Sequence, residues 1–251
     1  MPDVAKGSAG SPWPGRSGTT RVLLTLTAGA ANAFGFLATG VFTSVVTANS
    51  VLLGLHLGSG HLAAVRSVTV ALLGYLLGVT AGSLLAAVRG GRAALGIRGA
   101  LALETLVLWL VAGGWLWWHE HPGAAGRILL LFLLAVAMGC QNGGVRATAG
   151  GDVTTAYLTG LVTSATVALV TRGRLQGRNA AVVLILITGA VIGGAAYHWL
   201  RESAPVVPAL FVTAAFAATW ARPERQPGLP PRRRPENRRS ENRSPQREAT
   251  T

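Results

Sequence analysis

Residues 127–146 read RILLLFLLAVAMGCQNGGVR, with arginine at both ends and no charged residue between. A helix needs about 20 predominantly apolar residues to cross the hydrocarbon layer of a bilayer. This stretch has that length, and its apolar residues occupy every helical face, so no polar stripe is left for water. Only Gln141 and Asn142 interrupt it with side-chain amides. It reads as a transmembrane helix.

Seven other apolar segments surround it, giving in order 22–39, 42–57, 62–88, 99–118, 127–146, 153–171, 179–200 and 205–221. Half of the 251 residues are hydrophobic and only 12% are charged, where a soluble domain carries about 25%. Between Val22 and Ala221 the acidic residues are Glu104, Glu120, Asp152 and Glu202. Mean hydropathy is +0.45. The fold class is therefore an all-α, polytopic membrane bundle with the lipid bilayer as its surroundings. Residues 1–20, rich in Gly, Ser and Pro, read as a disordered arm, 21–221 as one transmembrane domain, and 222–251 as a disordered tail rich in Arg and Pro. Ala31-Asn32-Ala33 has the small-x-small form of a signal-peptidase site, but the apolar run continues through Phe34, Phe36 and Leu37, and an uncleaved first span is expected.

The net charge of +13 sits largely in the tail and at span ends. Without aromatic interleaving or a folded reader, it does not point to nucleic acid. It does report topology, because Lys and Arg are retained on the cytoplasmic side. If all eight segments crossed, Arg89, Arg92 and Arg98 would lie outside. If 42–57 and 153–171 enter and leave on one side, six crossings remain. Those arginines then lie inside with Arg172, Arg174, Arg178 and the tail, leaving only Arg66, Arg127 and Arg201 outside. Six spans with two re-entrant or half-spanning segments, both termini cytoplasmic, fit the rule better. The expected location is a bacterial inner membrane.

The halves also resemble each other. Gly29-x-x-Asn32 and Gly40 match Gly139-x-x-Asn142 and Gly150, and Thr43-x-x-x-Thr47 matches Thr155-x-x-x-Thr159. Three crossings per half turn the second copy upside down, an inverted 3+3 repeat with halves near 22–118 and 127–221. Secondary transporters use that architecture, with the site at the repeat interface.

Polar groups sunk in hydrocarbon need partners. The candidate substrate site therefore joins Asn32, Thr47, Asn49, Gln141, Asn142, Thr155 and Thr159 for a small polar or anionic solute. Interhelical hydrogen bonding is the alternative for the amides, and bonding back to the preceding turn for the threonines. Arg146 and Asp152 form a candidate charge pair at the site mouth, or else mark the cytoplasmic interface. Glu104, about a turn and a half into the 99–118 span, is expected to snorkel to that interface. Trp109, Trp115, Trp117, Trp118 and Trp199 read as an interfacial belt. Gly74, Gly78 and Gly82 make a small-residue face that predicts close packing within the fold or a homo-oligomer contact.

No catalytic, cofactor or metal set is recognisable. G-x-S-x-G, H-E-x-x-H and P-loop motifs are missing from the sequence, and His119-Glu120-His121 is too tightly spaced for a helical zinc motif. The single Cys140 excludes an intrachain disulfide. The function expected is a small-solute transporter or permease; a membrane scaffold or partner-binding subunit is the alternative.

Two further stretches carry a resemblance. Ala28-Gly29-Ala30-Ala31-Asn32-Ala33 with Thr47-Ala48-Asn49, and Met138-Gly139-Cys140-Gln141-Asn142 with Asp152-Val153-Thr154-Thr155, are similar to the two signatures of the YoaK-like family of bacterial membrane proteins. The resemblance covers about residues 22–221 and implies an inner-membrane domain of about six spans, without a substrate. The family more usually has Asp where Asn32 stands and Gly where Ala48 stands.

Overall fold

Leucine, alanine, valine and glycine dominate each apolar run, and in lipid a helix satisfies every backbone group from within the segment. In the computed structural model, which describes residues 17–88, 93–119, 121–149, 158–173 and 177–220, these runs are helices. They are α1 (Ser17–Thr39), α2 (Val46–Gly58), α3 (Leu62–Val88), α4 (Ala93–Trp117), α5 (Ala124–Ala149), α6 (Leu158–Arg172), α7 (Gly177–Trp199) and α8 (Val206–Ala218), with a 3-10 turn at Arg201–Ser203 before α8. Five of them, α1, α3, α4, α5 and α7, are long and apolar enough to cross a membrane. The expected sixth span, α8, has 13 residues, about 20 Å of helix against about 30 Å of hydrocarbon. Gly40 and Gly60, at φ 74° and 73°, end α1 and α2 in the left-handed conformation that glycine adopts without strain.

Glycine seams set the packing. A Cβ added to Gly78 of α3 would collide with Val136 and Cys140 of α5, and one on Gly82 with Cys140. In return Gly139 lies against Tyr75 and Gly78, and Gly143 against Val79. Rising numbers pair with rising numbers, so α3 and α5 run parallel. The same arrangement recurs between α1 and α7: Gly29 meets Leu186 and Ala190, Gly189 meets Leu26, and Gly193 meets Ala30. Small residues let backbones approach where lipid supplies no hydrophobic drive for helix association. The Gly74, Gly78 and Gly82 face is thus filled inside the chain by α5, and the homo-oligomer expected through it has no surface left there.

Helix direction along the bundle follows from one more pair of contacts. Gln141 near the end of α5 donates to the Leu24 carbonyl near the start of α1. Gly35, further along α1, faces the earlier Leu134 of α5. These helices are antiparallel, so α3 is antiparallel to α1, and α7 to α5. The chain therefore leaves α1 and enters α3 at one end, and α2 between them does not cross. The connection that carries α6 likewise starts and finishes at one end.

The interior lies among α1, α4, α5, α7 and α8. Phe34 packs edge-on against Trp115 at 5.0 Å, in a core that also buries Leu101, Leu108, Leu134, Met138 and Val212. Trp115 donates its indole N–H to the Arg201 carbonyl, so it belongs to this core and not to the expected belt. Trp117 and Trp199 at helix ends are exposed, as belt residues are. Outward, Leu73, Leu76, Leu77 and Leu84 of α3 and Leu184, Ile187 and Val191 of α7 are exposed. A water-soluble surface does not carry so continuous an apolar face; lipid covers it.

Candidate functional site

Asn32 stands seven residues before the end of α1 at Thr39, about 10 Å from that end. Its Oδ1 accepts from the backbone N–H groups of Thr43 and Ser44, each at 3.1 Å, and from the Thr43 hydroxyl. Its Nδ2 donates to Ser44 Oγ at 2.7 Å and to the Ala28 carbonyl at 2.8 Å. Asn49 completes the hold by accepting from the Phe42 N–H and donating to the Phe42 carbonyl. Phe42 also stacks on Phe36 at 4.5 Å. Chain emerging from α1 is thus folded back to the level of Asn32, where unpaired backbone groups would be costly. Two amides supply the bonds that a helix would otherwise provide. From this depth α2 returns outward, its 13 residues starting without a side-chain cap.

In α5, Asn142 donates to the Met138 carbonyl, the counterpart of the bond from Asn32 to Ala28. It also shares a side-chain hydrogen bond with Tyr75 of α3. Gln141 ties α5 to α1 through Nε2, while its buried Oε1 has no partner. Thr47 and Thr159 are exposed, and Thr155 and Asp152 lie outside the described residues. Arg146 is exposed in the last turn of α5. Among the described residues these side chains do not meet in one chamber: Asn32 and Asn49 brace a loop, Gln141 and Asn142 bond to neighbouring helices, and Thr47 and Thr159 are exposed.

Glu104 occupies a different position from the expected one. The helix starts at Ala93, so Glu104 is the twelfth of its 25 residues and sits mid-span. Its exposure is 0%, and neither carboxyl oxygen has a hydrogen-bond partner among the described residues. Around it on α4, Ala100, Leu101, Val107 and Leu108 are buried as well. Cys140 of α5 lies beside this stretch of α4, its thiol donating to the Ala100 carbonyl one turn before Glu104. Arg98 is not the edge of the span, which begins before residue 99. Arg98 instead reaches across to α8, donating to the Thr219 carbonyl at 2.6 Å with its guanidinium 4.3 Å above the Trp220 ring, and α4 continues for more than a turn before it.

Over residues 21–218 the chain matches the family described as protein of unknown function, DUF1275. The chain belongs to that family. It is 31% identical over 148 residues to the UPF0700 transmembrane protein YoaK of Bacillus subtilis (strain 168), a match covering 57% of this chain and 62% of that protein. No solved structure matches it.

The DUF1275 match takes in all eight helices save the first residues of α1, and so includes Glu104, Asn32, Gln141 and Asn142. The resemblance carried by the residues around Asn32 and Gln141-Asn142 leads to the same family. It gives no hint of Glu104, which belongs to neither stretch. The available signal was the span itself: residues 93–97 add apolar length before the glutamate, and a carboxyl in mid-span is a functional candidate by default.

Proposed function

We propose that this DUF1275 protein is a small-solute permease of the bacterial inner membrane, with cytoplasmic termini, in which Glu104 carries the coupling proton. The buried, unpartnered carboxyl of Glu104 is the observation that carries this reading. An ionised carboxyl in such surroundings has nothing to offset its lost hydration. Proton exchange at Glu104 therefore requires the seam to open to water, which links protonation to a change in helix packing. The other ionisable groups on the helices of this seam are few. On α5, Cys140 faces Glu104, with Arg127 and Arg146 near the helix ends; α4 itself adds Arg98, α1 has Arg21 in its first turns, and α8 has none.

Features that favour an inverted repeat support the reading. The contacts of Gly78, Gly82 and Gly139 in the seam of α3 with α5 are matched by those of Gly189, Gly193 and Gly29 in the seam of α7 with α1, helices α1 and α5 are antiparallel, and Asn32 and Asn142 make the same bond four residues back. Such repeats, with a short helix beginning at membrane depth, are the framework of many secondary transporters. Rocking one half against the other would carry the seam around Glu104 between its two openings.

Reconstitution into liposomes holding a pH-sensitive dye tests this with inward gradients of amino acids, sugars, carboxylates and phosphate. Proton uptake is expected with one of these classes and is lost in Glu104→Gln. Absence of solute-driven proton uptake across the panel, or uptake unchanged in Glu104→Gln, overturns the proposal. A scaffold subunit is the second reading, favoured by the complete hydrogen bonding of Asn32 and Asn49. Under it no solute moves, and Glu104→Leu stabilises the fold.

A further inference from the structure

Arg66, Arg127 and Arg201 are the three arginines that a six-crossing topology leaves on the non-cytoplasmic side, against the usual retention of positive charge. They stand together in space. One cleft of about 340 Å³ is lined by Arg66, Ser67, Thr39 and Arg127 among others. A second, of about 410 Å³, is lined by Arg127, Arg201, Tyr197 and His121 among others. Ala38 and Arg127 belong to both, so the clefts adjoin at the end of the bundle where α1 and α7 finish and α3 and α5 begin. Among the described residues, no acidic side chain lines either one.

We infer that these adjoining clefts form a receptor for the oxyanion group of a small solute, a carboxylate or a phosphate, at the outer mouth of the protein. Arg127 is held by its Nε–H, which donates to the Pro122 carbonyl at 3.2 Å. Its terminal nitrogens have no partner among the described residues, nor has the Arg66 guanidinium, so both keep the donor fork that recognises carboxylate and phosphate oxygens in pairs. Arg201 stands 5.3 Å above the Tyr197 ring, which fixes its plane at the cleft wall. The first turns of α3 and α5 supply Ala63, Arg66 and Ser67 and Ala124, Arg127 and Ile128 to one cleft. The positive ends of these two helix dipoles add to the potential, which the α1 terminus at Thr39 partly opposes. The Ser67 and Thr39 hydroxyls donate to the Ala63 and Gly35 carbonyls, so the donors left for an oxyanion are those of the arginines.

The inference gives the proposed permease its substrate class and rests on that reading for its role in transport, but binding itself can be read without transport. Calorimetric titration of the full chain, in nanodiscs of neutral phosphatidylcholine, uses inorganic phosphate and succinate as probes. Saturable binding of at least one is expected, weakened about tenfold or more by Arg127→Gln and by Arg66→Gln, and partly kept by Arg127→Lys, which retains charge but not the fork. Unaltered thermal unfolding in Arg66→Gln, a residue without a partner, separates lost binding from lost folding. Lack of saturable binding by either probe overturns the inference, as does equal binding in Arg127→Gln. Nanodiscs containing phosphatidylglycerol distinguish the other source of phosphate oxygens. If the arginines affect only the retention of that lipid and no soluble anion binds, the site serves a headgroup and the solute receptor is refuted. Binding without proton-coupled uptake would leave this site standing and remove the permease reading; uptake without binding at these arginines would do the reverse.

Discussion

Asn32 donates to Ser44 Oγ at 2.7 Å while its Oδ1 accepts from the Ser44 backbone N–H, so one side chain on α1 holds both ends of a residue twelve positions further along. The first prediction follows from this brace. Asn32→Ala leaves the Thr43 and Ser44 N–H groups unpaired at membrane depth. At about 1–3 kcal/mol for each unsatisfied buried group, a loss of about 2–6 kcal/mol is expected. Asn32→Asp keeps the accepting oxygen, and the Ser44 hydroxyl can turn to donate, so it should cost clearly less. Thermal unfolding of the two variants in one detergent checks the order; equal losses would remove the brace argument. The residue that the YoaK-like family more usually has at this position is the one predicted to be the milder replacement, because the bonds that matter most here are accepted ones.

Adjacent glycines on α7 provide a second test. A Cβ on Gly193 would meet the Ala30 backbone, whereas one on Gly194 meets nothing within 4 Å. Gly193→Ala is expected to destabilise by about 1–3 kcal/mol, as overpacking does. Gly194→Ala should leave stability unchanged or raise it by up to about 1 kcal/mol through helix propensity. If the repeat is real, Gly82→Ala on α3 should match Gly193→Ala, since Cys140 stands to Gly82 as Ala30 does to Gly193. Unfolding temperatures of the three variants decide this, and a large effect at Gly194 alone would contradict the packing.

The helical membrane fold was legible because lipid imposes two coarse demands that composition expresses directly: apolar length and few charges. Re-entry of 42–57 was legible too, because the arginine pattern and the cluster of Thr43, Asn49 and Ser50 led to one conclusion. The candidate site was legible only in part. Sequence identifies a buried amide but not its partner, and the partners of Asn32 and Asn49 are loop backbone groups, not a solute. Gly74, Gly78 and Gly82 were recognised as a packing face, yet nothing in a spacing of four says whether α5 or a second copy fills it. Glu104 was misplaced because Arg98 was read as a boundary, when its long side chain in fact crosses to the end of α8 and stacks on Trp220.

Glu104 has a sharper consequence for stability. Glu104→Gln keeps the shape of the side chain and is expected to fold with an unfolding temperature near that of the parent. Glu104→Lys introduces a longer side chain and an ammonium with no partner into the same seam, at a cost of several kcal/mol, and should fail to accumulate in the membrane. Comparable yields of folded Lys and Gln variants, by size-exclusion profile after detergent extraction, would mean that water reaches Glu104 in the resting state.

Topology can be tested with the cysteine already present. Cys140 is fully buried, so the parent chain should resist a membrane-impermeant maleimide, and single additions can be read against that background. Arg66 is exposed in the first turns of α3, and Arg146 is exposed in the last turn of α5. Because α3 and α5 run parallel, these positions lie at opposite ends of the bundle. Arg66→Cys is expected to react in intact cells, and Arg146→Cys only after the membrane is opened. The opposite pattern would invert the protein and put the three-arginine cleft on the cytoplasmic side. Reaction of both from one side would break the parallel pairing on which the exclusion of α2 from the crossings depends.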